Sequence, residues 1–185
     1  MKAPHPLVII GLDGATHRIL EPLISAGKLP AIARLMKEGM TTELTSTLPV
    51  ATLPAWTSFM TAAPPAVHGI TDIFMKRPGT YDLQPSSGQL RRLPTIMKKL
   101  SDQGYQVASL GIPGTFPPEP LNGVCVSGFD APGAERTPVE GIWPPSAAAT
   151  INSYGGWRFG VFNEHASAKR RYQAATESLL SDIAI

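Results

Sequence analysis

Cysteine is close to absent: a single residue, Cys125, stands among 185. One thiol forms no internal disulfide and no CxxC pair, which excludes disulfide scaffolds and thiolate zinc fingers and leaves Cys125 as a small buried hydrophobe. Charge is sparse too, at 16% of residues with a formal net charge of +2, so the chain is neither an acidic solvating segment nor a polybasic tail. The basic residues fall in short groups, Arg91-Arg92, Lys98-Lys99 and Lys169-Arg170-Arg171, with no aromatic residues interleaved as a stacking platform. Nucleic acid is therefore not an expected partner.

Long hydrophobic runs are missing as well. The longest, Leu7 to Leu12 with Gly11 inside it, is far short of the ~20 residues of a membrane span. The opening Met1-Lys2-Ala3-Pro4-His5-Pro6 carries one lysine and two prolines, and the apolar run after it ends at Asp13 without a small-residue cleavage site. That start predicts no secretory signal, no membrane partner and a cytoplasmic protein. Neither GxGxxG nor GxxxxGK[ST] occurs, so the common nucleotide-cradling loops are lacking.

What is present is a globular composition, 43% apolar, at a length that suits one domain of ~100–200 residues. Leu7-Val8-Ile9-Ile10-Gly11-Leu12 reads as a strand buried on both faces. Ile19, Leu20, Leu23 and Ile24 recur at helical spacing from the N-cap candidate Thr16 to Gly27, and Pro30 opens a second helix ending at Gly39. Thr41 to Thr47 fits a strand, Ala55 to Thr61 a helix started by Pro54, and Pro94 to Gln103 another helix, stopped by Gly104. Tyr105 to Ile112 and Val124-Cys125-Val126 read as strands, Pro113 to Pro120 and Asp130 to Pro145 as loops, and Ser167 to Leu180 as a last helix. This alternation predicts an α/β fold, a mainly parallel sheet flanked by helices, with functional groups beyond the carboxyl ends of the strands.

Two residues stand where chemistry would gather. Asp13 directly follows the first apolar run, and Gly14 leaves room for the backbone to turn; its carboxylate suits a divalent cation, and equally suits capping the helix near Thr16. Thr52 lies just ahead of the Pro54 helix start, where backbone N–H groups and the dipole favour an alkoxide or phosphoryl oxygen. A threonine is a weak nucleophile unaided, and the same position suits a helix N-cap. His68, before Gly69, reads more readily as a hydrogen-bonded structural residue than as a base, and His5, His17 and His165 lack metal-site spacings.

In order, Val8-Ile9-Ile10-Gly11-Leu12-Asp13-Gly14-Ala15, Ala26-Gly27-Lys28-Leu29-Pro30, Leu35-Met36-Lys37-Glu38-Gly39 and Ser46-Thr47-Leu48-Pro49 lead to Thr52-Leu53-Pro54-Ala55-Trp56-Thr57-Ser58-Phe59-Met60-Thr61, Pro65 and His68-Gly69-Ile70. This series resembles the type I phosphodiesterase/nucleotide pyrophosphatase family of the alkaline phosphatase superfamily. The resemblance implies an alkaline-phosphatase-like core and a metal-dependent phosphoric ester hydrolase acting on a phosphate-ester or nucleotide-like small molecule. It implies two divalent metal ions, zinc or else manganese, one held by Asp13 and Thr52. Thr52 would be the nucleophile that forms a phospho-enzyme.

Departures from the family pattern qualify the expectation. Ala55 stands where many nucleotide-cleaving members carry asparagine, and Ala62 where a glycine is usual. No adjacent Asp-His pair occurs, and after Asp130 the acidic and imidazole groups are only Glu135, Glu140, Glu164, His165, Glu177 and Asp182. Residues 1–185 are accordingly expected to be the N-terminal part of one such domain, truncated at the C-terminus, with an incomplete second metal site and little activity alone. A truncated sheet also predicts self-association through exposed apolar surface. Two other readings are a cofactor-independent phosphoglycerate mutase-like enzyme, whose nucleophile is usually serine, and a non-catalytic interaction domain that lost the second metal half.

Overall fold

The computed structural model describes residues 6–132 and 137–158, and the helix expected over Ser167 to Leu180 lies outside them. The chain divides after Thr45 into two units.

In the first unit, α1 (His17–Ser25) and α2 (Pro30–Glu38) form where the apolar spacing places them, with Thr16 at the N-cap of α1 and Pro30 at the first position of α2. Neither helix buries a residue completely. The expected strands at Leu7 to Leu12 and Thr41 to Thr47 do not form, and Leu7, Val8, Ile9 and Ile10 remain 59–80% exposed. The correction has a physical basis: a strand apolar on both faces needs ladder partners and covering helices, and the described part of this unit holds two helices and no strand.

The second unit begins with α3 (Thr52–Thr61) and the single turn α4 (Pro65–His68). An unforeseen hairpin follows, β1 (Phe74–Lys76) antiparallel to β2 (Leu83–Pro85). Then come α5 (Ile96–Asp102), β3 (Val107–Ile112), β4 (Gly123–Ser127), β5 (Ile142–Trp143) and α6 (Ala147–Ser153). Thr95 is the N-cap of α5, its Oγ1 accepting the Lys98 N–H at 3.0 Å, so the helix starts two residues later than Pro94 suggests.

Strand β4 lies between the other two, parallel to β3 and antiparallel to β5. Of the three strand pairings among the described residues only β3–β4 is parallel, so the described residues form a mixed α/β structure around small sheets. Alternation along β4 sorts the core into two faces. Cys125 packs with Met60 of α3, Met97 of α5 and Leu121, whereas Val126 packs with Ile142 and Ala148 of α6. Helices therefore cover both faces of the sheet. Gly123 opens β4 at φ +142°, and a Cβ there would lie 2.1 Å from the Val107 carbonyl oxygen, so this pairing admits only glycine.

Candidate active site

Ala51 is the N-cap of α3, extended at φ −151° and ψ 154°, and makes no side-chain cap bond. The helix starts two residues before Pro54, and Thr52 is its first residue, not its cap. Leu53 and Pro54 are buried while Thr52 is half-buried, so the first turn is anchored on one side and leaves its hydroxyl-bearing residue nearer the surface. The positive end of the α3 dipole falls at this residue.

The rest of α3 is pinned through α4. His68 is fully buried, with Nε2 2.9 Å from Ser58 Oγ and Nδ1 accepting the Ile70 N–H at 3.1 Å. A backbone N–H can only donate, so Nδ1 carries no proton and Nε2 donates to Ser58. That polarity is the reverse of what a general base needs toward a serine. Desolvation lowers the His68 pKa, against the raising effect of the Pro54 carbonyl, and the Arg91 charge lowers it further. His68 is thus a neutral tie between α3 and α4, as its place in the sequence suggested.

Beside α3 lies the loop that leaves β3. Gly114, at φ +83°, sits so close that a Cβ there would stand 3.3 Å from Thr57 Oγ1, 3.5 Å from Met60 and 3.9 Å from Leu53. Asp130, just past β4, accepts the Gly114 N–H on Oδ1 at 2.9 Å and the Phe116 N–H on Oδ2 at 3.1 Å. Burial pushes its carboxyl above the ordinary aspartate range, and those N–H bonds pull it part of the way back. Arg91 donates to the Gly114 carbonyl at 3.0 Å, to the Leu93 carbonyl at 3.1 Å and to Glu119 at 2.7 Å. Glu119 also accepts from Thr95 Oγ1 at 2.5 Å. Sequence reasoning gave none of these three charged residues a role. The available signal was the position of Asp130 just after a strand, the same placement that singled out Asp13.

Asp13 is exposed, in a turn of the first unit where Gly14 takes φ +68°, while Thr52 belongs to the second unit. Among the described residues no three His, Cys, Asp or Glu side chains gather into a metal-holding group. A catalytic zinc takes about three protein ligands, more than Asp13 and Thr52 would supply by themselves.

The chain is similar to a solved hydrolase of the alkaline phosphatase superfamily. Phosphonoacetate hydrolase from Sinorhizobium meliloti 1021 in complex with phosphonoacetate matches at a TM-score of 0.50 and 32% identity, covering 53% of this chain and 24% of that one. The same enzyme in complex with phosphonoformate matches at 0.50 and 33% identity, with the same coverage. This chain thus spans about a quarter of the length of those structures. It belongs to the type I phosphodiesterase / nucleotide pyrophosphatase family, whose sequence model matches residues 7–181. Members of that family are metal-dependent hydrolases.

Proposed function

We propose that the chain serves a metal-dependent hydrolase of phosphoric esters or small phosphonates, with Thr52 Oγ1 as the nucleophile. The observation that carries this reading is Thr52 as the opening residue of α3, inside the stretch that matches the family. Attack by Oγ1 forms an O–P bond and gives up the hydroxyl proton to solvent, while the leaving group departs with the electron pair of the bond it breaks and takes up a proton from solvent. Water then cleaves the O–P bond, releases the phosphorus acid and returns the proton to Thr52. The α3 dipole favours negative charge beside its first turn throughout. By the family resemblance, Asp13 and Thr52 would each offer an oxygen donor to a divalent cation, zinc or manganese, which when bound would lower the hydroxyl pKa and offset charge on the phosphoryl oxygens. The phosphonate complexes of the solved hydrolase and the absence of an asparagine at Ala55 both favour a small phosphorus oxyanion over a nucleotide.

The test joins calorimetry with zinc and manganese to turnover of an aryl phosphodiester and of phosphonoacetate, for the parent chain, Asp13→Ala and Thr52→Ala. The expected results are weak metal binding that Asp13→Ala removes and slow turnover at most, with the phosphoryl group trapped by acid quench found on the peptide containing Thr52. Turnover that survives in Thr52→Ala overturns the assignment of the nucleophile.

A further inference from the structure

The loops that follow the two parallel strands are tied to each other, and one of them backs the helix that carries Thr52. Asp130 lies three residues past β4 and Gly114 two residues past β3, at the carboxyl ends where open α/β sheets receive ligands. The polar backbone groups of the loop between them are engaged from several sides. The Gly114 N–H goes to Asp130 and its carbonyl to Arg91, while the Phe116 N–H goes to Asp130 and its carbonyl accepts from the Gly88 N–H at 2.7 Å. Thr115 is fixed between them by the Ser127 hydroxyl, which donates to its carbonyl at 3.0 Å. A loop held this way is a rigid support, and Gly114 approaches α3 so closely that a Cβ on it would meet Thr57, Met60 and Leu53; Leu53 is the immediate neighbour of Thr52.

We propose that Asp130 is a positioning residue for Thr52, holding the first turn of α3 in place through Gly114. This rests on the reading of Thr52 as the nucleophile. A carboxylate suits the task because its two oxygens accept two N–H groups at once, whereas an isosteric amide accepts one and turns its own donors toward the other. Small displacements of a nucleophile cost rate out of proportion to stability, because attack needs alignment as well as contact.

The test uses the isotope-labelled full chain, comparing the parent with Asp130→Asn, Gly114→Ala and, as a control on the hairpin turn, Asp82→Asn. In Asp130→Asn the Gly114 and Phe116 amides are expected to exchange about tenfold faster with solvent. The Thr52 and Leu53 amide resonances are expected to move with them, and any turnover should lose kcat with KM unchanged. The Asp82→Asn control should leave all four amides in place. If Gly114 and Phe116 exchange faster while Thr52 and Leu53 keep their parent positions, Asp130 serves only its own loop and the proposal is overturned. Should Asp130→Asn fail to fold, Gly114→Ala decides: its added Cβ presses on α3 from the same side, and an unmoved Thr52 overturns the proposal. Turnover surviving Thr52→Ala sinks the nucleophile reading separately, whatever the amides report.

Discussion

His68 Nδ1 accepts the Ile70 N–H at 3.1 Å, which leaves the ring proton on Nε2, 2.9 Å from Ser58 Oγ. A second proton on Nδ1 would face that N–H, so charging the ring breaks a contact as well as burying a cation. The folded-state pKa lies below the ordinary 6.5, so the unfolded chain takes up the proton first. The stability that depends on neutral His68 is therefore whole above the unfolded value and is lost as pH falls through it toward the folded value. Thermal unfolding followed from about pH 8 down to about pH 5 should show this extra loss in the parent and not in His68→Gln. Equal slopes in the two proteins would place the acid sensitivity elsewhere.

Cys125 makes the opposite case for a titratable group in a core. Burial pushes its thiol up to about 11, and it is 2% exposed between Met60, Met97 and Leu121. The reactive thiolate is then scarce at neutral pH and shielded as well. A disulfide reagent at about pH 8 should label the native protein only as fast as it unfolds, and should label it completely in denaturant. Rapid labelling of the native form would show that the cluster around β4 opens locally.

The sequence was most legible where a local signal coincided with a local structure. Thr16 and Pro30 open α1 and α2, and the apolar runs around Leu110 and Cys125 become β3 and β4. The hairpin escaped because Phe74–Lys76 and Leu83–Pro85 are three residues each, too short for a period to show, although Pro78-Gly79 marks its turn. Beside Thr52 a helix start could be read from Pro54, though two residues late, but the clamp around Gly114 could not. Arg91 and Glu119 are 28 residues apart and Asp130 and Gly114 are 16, and no periodicity encodes a pairing between distant loops. The run from Leu7 to Leu12 failed for a related reason, since its composition specifies burial without naming what would cover it.

That same run carries a prediction. Leu7, Val8, Ile9 and Ile10 are consecutive, uncharged, rich in β-branched side chains and at least 59% exposed, the composition of a segment that recruits other strands. Sedimentation of the purified chain should show concentration-dependent self-association. Placing a charge within the run, as in Ile9→Lys or Ile10→Glu, should shift it toward monomer. A parent chain that stays monomeric at all concentrations would count against the run as the cause.

The Arg91 network offers a sharper test of what holds the second unit together. The Arg91 side chain is 4% exposed, and its guanidinium serves the Leu93 carbonyl, the Gly114 carbonyl and Glu119 together. Removing it leaves three acceptors, two of them in the loop between β3 and β4, without their shared donor. Arg91→Met should cost about 3–5 kcal/mol in urea denaturation, as for other broken buried pairs. Glu119 is 21% exposed on its side chain, so water can replace part of what it accepts, and Glu119→Gln should cost less, about 1–2 kcal/mol. Thr95 is joined to both, because its Oγ1 donates to Glu119 and also accepts from Lys98 at the start of α5. Thr95→Ala should therefore cost about 1–2 kcal/mol through the lost cap and the lost donor. Combined with Arg91→Met it should cost less than the two single changes added, since each already disturbs Glu119. Additive losses would mean that Glu119 does not couple the loop backing α3 to the start of α5, and that the two ends of the network are independent.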